Sequence, residues 1–362
     1  MSIFFTLFVI VFSVYIMKKC SSVFDIASSY LTKNLAEGIK GPTINAVASS
    51  LPELFISSMF LFYFKDLNGF SAGFATIIGS SAFNIAIIPT VSFLFVYSLD
   101  KKKIFKVDKV IIKQDVVFLL CSIIILMMGL FFGMNAYVSA LLILFYLLYI
   151  FFIIINRSKN KIKQKTNKNF KIKKSNYINS VINLNLFNIF FKGQINIFSS
   201  IIVLILSIFL IGISCFYLVV SVEKVSHFLN INIFFGAFII AAIASSIPDT
   251  LLSIEDAKND KFSDSFSNAF GSNIFDICIG IGLPVLCYNL LYSEIDSSIP
   301  IERMGIIGNY IFNGDLFLWS LVSLLLFTFL TSIIYYFKQL NLKTSIVIIF
   351  LYLLFVTSLI LF

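Results

Sequence analysis

Two stretches of this chain place a carboxylate beside a proline in surroundings that are otherwise hydrocarbon. The first is ASSLPELFISS, Ala48 to Ser58; the second is ASSIPDTLLSI, Ala244 to Ile254. Ala48, Ser49, Ser50, Pro52 and Ser57 return as Ala244, Ser245, Ser246, Pro248 and Ser253, each 196 positions later, and Glu53 returns as Asp249. A second block follows each. GSSAFNI, Gly79 to Ile85, returns as GSNIFDI, Gly271 to Ile277, now 192 positions later. The chain is therefore an internal repeat, and this constrains the fold once the apolar segments are counted.

Of the 362 residues, 59% are hydrophobic and 12% charged, against about 25% charge in a soluble protein. Runs long enough to cross about 30 Å of hydrocarbon recur along the whole length. Ten spans can be read, roughly 2–30, 41–64, 71–98, 114–132, 135–155, 196–222, 232–254, 264–291, 315–337 and 344–362. Five lie on each side of a polar linker. An odd number of spans in each half forces the halves to insert in opposite senses. The expected fold is an all-α membrane protein, with ten transmembrane helices arranged as two inverted five-helix repeats. The repeats are 1–155 and 195–362, and the linker is 156–194. Such repeats mark secondary transporters, whose site lies near the midplane where the repeats meet.

The net charge of +9 is not a nucleic-acid signal, because the positive residues gather in connecting segments as membrane topology requires. Between Arg157 and Lys174 lie nine basic residues and no acid. That tract reads as a flexible tether, with binding to anionic lipid as the alternative. It and the lysines at 101, 102, 103, 106, 109 and 113 place the linker in the cytoplasm and both termini outside. Cys20, Cys121, Cys215, Cys278 and Cys287 are odd in number and lack CxxC spacing, so neither a disulfide framework nor a zinc site is expected. His227 is the single histidine, which excludes histidine clusters. Lys18 and Lys19 follow the first apolar run rather than precede it, unlike a cleaved signal peptide.

On a helix, Ser49, Glu53 and Ser57 share a face at four-residue spacing, as do Ser80 with Asn84 and Ser272 with Asp276. Pro52 and Pro248 each remove a backbone donor and are expected to open their helices locally. An acid at the centre of a membrane helix costs about 2.5–3.5 kcal/mol on insertion scales, so such residues face a bundle interior or a watery cavity. The converging groups are carboxylate, hydroxyl, amide and carbonyl. This all-oxygen set suits Ca²⁺ or Na⁺ and not zinc or copper. Taken singly, each serine could bond to its own backbone, each proline could be a kink, and Gly79 and Gly271 could be packing residues. Asp25, Glu223 and Lys224 read as interfacial, Glu255, Asp256, Asp260 and Asp264 as solvated in a short inward connection, and Glu294, Asp296 and Glu302 as outside. Trp319 reads as packing.

The paired signatures resemble those of the cation/calcium exchanger superfamily, especially the potassium-dependent sodium/calcium exchangers. That resemblance implies a sodium/calcium exchanger-like fold and exchange of Na⁺ for Ca²⁺ by alternating access, with K⁺ also carried in the potassium-dependent branch. It implies no cofactor and no enzymatic activity, a lipid bilayer and the transported cations as partners, and function as a monomer. Glu53 and Asp249 would be the central Ca²⁺ ligands, aided by Ser49, Ser50, Ser245 and Ser246. The carbonyls of Ala46 and Ala242, with Ser80 and Ser272, would bind Na⁺, and Asn84 and Asp276 would complete the cage. Spans one and six would slide past the bundle that bears the site. Ala48 and Ala244 stand where many relatives carry glycine, and Ser81 where asparagine is common. Two other readings stay open: Ca²⁺/H⁺ exchange, with Asp249 or Asp276 carrying the proton, and an intramembrane aspartyl protease using two acids for general acid and base work. The first usually shows a Gly-Asn-Ala…Glu signature and the second a Gly-x-Gly-Asp context, and neither is present.

Overall fold

The computed structural model describes residues 3–31, 46–65, 67–101, 103, 105–158, 176–292 and 316–361. Within them, ten helices are long and apolar enough to cross a bilayer. They are α1 (Ile3–Leu31), α2 (Ala46–Phe64), α3 (Leu67–Leu99), α4 (Lys109–Phe132) and α5 (Ala136–Ser158). Two short helices follow, α6 (Tyr177–Ile182) and α7 (Leu186–Phe191). Then come α8 (Ile197–Leu229), α9 (Ile233–Lys258), α10 (Phe262–Leu291), α11 (Leu316–Phe337) and α12 (Leu342–Ile360). No strand occurs among the described residues. Hydrocarbon cannot satisfy an exposed amide, so each apolar run closes its hydrogen bonds within itself as a helix.

Some ends lie beyond the apolar runs because polar caps set them. Asp108 accepts from the Val110 amide and starts α4 five residues before the expected 114. Asn196 with Ser199, and Asn341 with Thr344, form reciprocal capping boxes at the heads of α8 and α12. α8 continues to Leu229, so Glu223 and Lys224 are helical, and α9 continues to Lys258. The expected solvated connection shrinks to residues 259–261. Asp256 is consequently half-buried, with its Oδ2 enclosed, while Asp260 stays exposed and pairs with Lys103.

The linker also departs from a plain tether. α6 and α7 pack back on the spans: Tyr15 donates to the Ile182 carbonyl, Lys19 donates to Asn183, and Leu186 and Phe187 bury against Val23, Ala27 and Val203. Most of the basic tract, the start of the second span at 41–45, and Glu294, Asp296, Glu302 and Arg303 lie outside the described residues.

The side of the bundle where α5 ends and α8 begins is the linker face. α4 begins there and α9 ends there. α2, α3, α9 and α10 form the interior, each with 56–61% of its apolar window buried, against 22% for α1 and 28% for α12. The halves interlock: α4 and α5 pack on α10, whereas α11 and α12 pack on α3. α1 and α8 run along each other extensively. α3 crosses α9 so closely at Gly79 that a β-carbon would lie 2.3 Å from the Phe238 carbonyl oxygen and 2.7 Å from the Ala242 β-carbon. Here the glycine is required by space.

Pro52 and Pro248 lie inside unbroken helices, contrary to the expected opening. A single missing donor is tolerated in a membrane helix where neighbouring polar groups compensate. The widened turns fall elsewhere, as π turns at Ala237–Ala241 in α9 and Asp276–Ile281 in α10. In the second, the Gly280 carbonyl accepts from Ser57 of α2 at 2.6 Å. A π turn releases backbone groups for such contacts.

Candidate functional site

At the centre, Glu53 of α2 and Asp249 and Asp276 of α10's side of the bundle, the former on α9, meet across the two repeats. One carboxylate oxygen from each lies within 4.8 Å of the others, and all three residues are fully buried. Both oxygens of Glu53, both of Asp276 and Oδ1 of Asp249 have no hydrogen-bond donor. Among the described residues, no ion pair reaches any of the three. Each such acid costs about 2.5–3.5 kcal/mol at membrane depth, roughly 8–10 kcal/mol together before their mutual repulsion. That sum is comparable with the whole stability of a typical domain. Buried acceptors this close form a cluster that could hold a metal ion.

The serines cross over between repeats. Ser245 stands against Glu53, Ser49 against Asp249, and Ser50 against Asp276. Two of these hydroxyls also donate along their own helices. Ser49 donates to the Ala46 carbonyl at 3.3 Å and Ser245 to the Ala242 carbonyl at 3.1 Å, one turn back in each helix. Ser80 and Ser272 repeat the pattern on the other helix pair, donating to Ile77 and Ala269 at 3.1 Å each. The Ser246 hydroxyl is buried without a partner, and that of Ser50 has none besides Asp276.

Asn84 occupies in α3 the repeat position of Asp276 in α10. Its amide donates to Asp249 Oδ2 at 3.1 Å, to Asn273 Oδ1 at 3.0 Å and to Ser272 Oγ at 3.4 Å, and its own oxygen is left free. Thus Glu53, Asp249, Asp276, Asn84, Ser49, Ser50, Ser245 and Ser272 converge. Ser80, Ser246, Ala46 and Ala242 are buried on the same helices, with no described contact to a carboxylate.

Three groups were not singled out by spacing. Asn268, in the repeat position of Thr76, donates to Ser253 Oγ at 3.0 Å and to the Asp249 carbonyl at 3.4 Å, one turn from the acids toward the linker face. Asn273 donates to the Ser81 carbonyl at 3.0 Å and ties α10 to α3. Asp115 of α4 is fully buried, receiving Tyr149 at 3.1 Å and Ser267 at 2.6 Å. Comparing the repeats position by position exposes the first two, because an amide replaces a hydroxyl. Asp115 follows Lys113 and Gln114 at the head of a span and so looks interfacial. Trp319, expected only to pack, also donates to the Ser358 carbonyl at 3.2 Å.

An interlocked ten-helix bundle with buried, donor-free carboxylates at its centre defines a membrane transporter of cations. The family model for the sodium/calcium exchanger protein matches residues 4–155 and 199–361, one segment in each repeat, and the chain belongs to that family. It is an ion transporter and not an enzyme. No curated protein sequence matches it. Among solved structures it is similar to the H⁺/Ca²⁺ exchanger CAX, with TM-score 0.69 and 14% identity over 97% of this chain and 79% of that one. It is also similar to native YfkE, with TM-score 0.65 and 17% identity over 99% and 92%. The sodium-calcium exchanger NCX_Mj, soaked with 100 mM Na⁺ and 10 mM Sr²⁺, gives TM-score 0.61 and 18% identity over 99% of each chain. These likenesses concern the fold, including its inverted repeats.

Proposed function

We propose that this protein exchanges Na⁺ for Ca²⁺ by alternating access, with Glu53, Asp249 and Asp276 as the charged ligands of a shared cation cage. The observation that carries this reading is the trio of buried carboxylates, each bringing one oxygen to within 4.8 Å of the others, with five of their six oxygens lacking donors. Ca²⁺ takes about 6–8 oxygens. Asn84, the hydroxyls of Ser49, Ser50, Ser245, Ser246, Ser80 and Ser272, and the carbonyls of Ala46 and Ala242 supply neutral ones. The serine protons now held by those carbonyls need only rotate away for the same atoms to face a cation. Na⁺ ions competing for these oxygens would make occupancy by Na⁺ and Ca²⁺ mutually exclusive, which is what antiport requires.

Three carboxylates carry one negative charge more than Ca²⁺ neutralises, which favours a monovalent partner ion. K⁺ carried with Ca²⁺ is one form of this reading, and a proton in the same role leads to the alternative of Ca²⁺/H⁺ exchange. The halves 1–155 and 195–362 act as the two inverted repeats around the cage. Lys101, Lys103, Lys106, Lys109, Lys113, Lys258 and Lys261 on the linker face support a cytoplasmic linker and external termini. Calcium uptake by proteoliposomes under an outward Na⁺ gradient, with and without K⁺, tests the proposal. Uptake that follows the Na⁺ gradient supports it. Uptake blind to Na⁺ but driven by a pH jump replaces it with proton exchange.

A further inference from the structure

Asp115 is a buried acid that the cation cage does not use. It lies inside the bundle, where α4 meets α5 and α10, and each of its oxygens accepts a neutral hydroxyl, Tyr149 on one and Ser267 on the other. A cavity of about 730 Å³ opens at the linker face between α4, α10 and α11. Its lining includes Ile112, one turn before Asp115, with Phe266 and Ser263, which adjoin Ser267 or lie one turn before it. Its lining also carries Lys106, Asp108, Lys109 and Lys338, with Lys109 over the Tyr336 ring.

On the other side of this cluster, Tyr146 packs edge-on against Phe275, with ring centroids 5.4 Å apart. Its buried hydroxyl has no partner and lies within electrostatic reach of Asp276. The Tyr146 and Tyr149 rings are 6.2 Å apart. Tyr146 and Tyr149 thus connect the surroundings of Asp276 with Asp115, and the linker-face cavity reaches the neighbours of Asp115 rather than Asp115 itself.

We propose that Asp115 is a proton-binding site of the exchanger, reached from the linker-face cavity and linked electrostatically to the cation cage. The ligand is a proton rather than a metal because Tyr149 and Ser267 aim their hydroxyl hydrogens, not their lone pairs, at the carboxylate, whereas Ca²⁺ takes six or more oxygens by their lone pairs. The step moves no electrons. Hydronium in the cavity gives H⁺ to an Asp115 oxygen and leaves water. The new O–H then donates to Ser267 Oγ, whose own hydrogen turns to the Ser263 carbonyl one turn back. The titratable groups on the helices packed against α4 are Tyr137, Tyr146, Tyr149 and Arg157 of α5, Asp264, Asp276, Cys278, Cys287 and Tyr288 of α10, and Tyr335 and Tyr336 of α11. Lys109, Lys113 and Cys121 lie on α4 itself. Of these, Tyr149 touches the carboxylate.

Along α10, Ser267 and Asp276 are nine residues apart, about 14 Å at 1.5 Å per residue. At that separation, losing one negative charge weakens divalent binding on the order of fiftyfold at an effective dielectric of about 20. Calcium affinity at the cage should therefore fall on acidification partly through Asp115.

This inference rests on the cage binding Ca²⁺, and the test separates the two claims. Purified protein in weak buffer is titrated with Ca²⁺, and affinity and proton release are measured for wild type, Asp115→Asn, Asp115→Glu and Tyr149→Phe. Asp115→Asn is expected to bind on the order of fiftyfold more weakly at alkaline pH and to release fewer protons per Ca²⁺. Asp115→Glu should restore the release, and Tyr149→Phe should shift its pH profile. The infrared carbonyl band of protonated carboxyls, lost on adding Ca²⁺ to wild type, should be smaller in Asp115→Asn by the Asp115 component. Unchanged proton release, or a uniform loss of affinity at every pH, overturns the proton site while leaving the cage reading intact. If Asp115→Asn does not fold, the Tyr149→Phe profile decides alone, and an unshifted profile is a refutation. Failure of wild type to bind Ca²⁺ refutes the cage instead.

Discussion

α2 and α3 bring one carboxylate to the middle of the molecule; α9 and α10, built on the same sequence pattern, bring two. At the position where the second repeat has Asp276 the first has Asn84, and the amide spends its donors on Asp249, Asn273 and Ser272. The inequality continues toward the ends of the helices. One turn beyond Asp249 toward the linker face, Ser253 and Asn268 form a buried polar pair, with Ser265 and the half-buried Asp256 beyond them. The equivalent positions of the first repeat are Ser57 with Thr76, then Gly73 and Phe60. There Ser57 turns to the Gly280 carbonyl, Thr76 turns to its own helix at Ala72, and a β-carbon on Gly73 would lie 3.0 Å from the Ser57 carbonyl oxygen. One half-path is polar and the other is closed by backbone packing. The repeats share a fold but divide the labour, with the second holding most of the charge.

Removing the single acid of the first repeat is the most severe way to break this comparison. Glu53→Gln leaves the remaining buried groups without the arrangement built for a divalent ion, and truncating one member of a buried charge network costs about 3–5 kcal/mol. Gradient-driven calcium uptake should fall more than about a hundredfold, and unimpaired uptake would remove Glu53 from the cage. Asp276→Asn makes the repeats alike at that position and lowers the formal charge from three carboxylates to two. Calcium affinity should drop about tenfold, or roughly 1.4 kcal/mol, and any stimulation by K⁺ should disappear from the transport assay. Retained K⁺ stimulation would show that the third carboxylate is not where the monovalent ion is balanced. The mildest equalisation is Asn268→Thr, which deletes the bonds to Ser253 and to the Asp249 carbonyl. A lost hydrogen bond of this kind costs about 0.5–1.5 kcal/mol. Thermal unfolding in detergent should shift down by a few degrees at most, with transport retained.

The inverted arrangement was legible in the sequence because duplicated motifs and an odd span count leave few alternatives. Glu53, Asp249 and Asp276 were also legible, since an acid inside an apolar run declares its cost. Less visible was anything that depends on which helix faces which. Nothing in the spacing says that Ser245 stands against Glu53 and Ser49 against Asp249, because those pairings arise from the pseudo-two-fold crossing. Proline positions misled: they sit in intact helix, while the widened turns occur at Ala237–Ala241 and Asp276–Ile281, where no proline lies. Asp115 was hidden by its neighbours, since a carboxylate after Lys113 and Gln114 looks solvated until α5 and α10 close over it.

α8 is 33 residues long and apolar from Ile197 to Val222, a stretch of 26 residues or about 39 Å, against about 30 Å of hydrocarbon. It fits such a membrane only by leaning, and α1, packed along its length, leans with it. Bilayer thickness thereby becomes a mechanical input: lipids with longer acyl chains stand the pair more upright against the central bundle, and shorter ones lay it flatter. The exchange rate of the same molecule should differ between membranes of unequal depth.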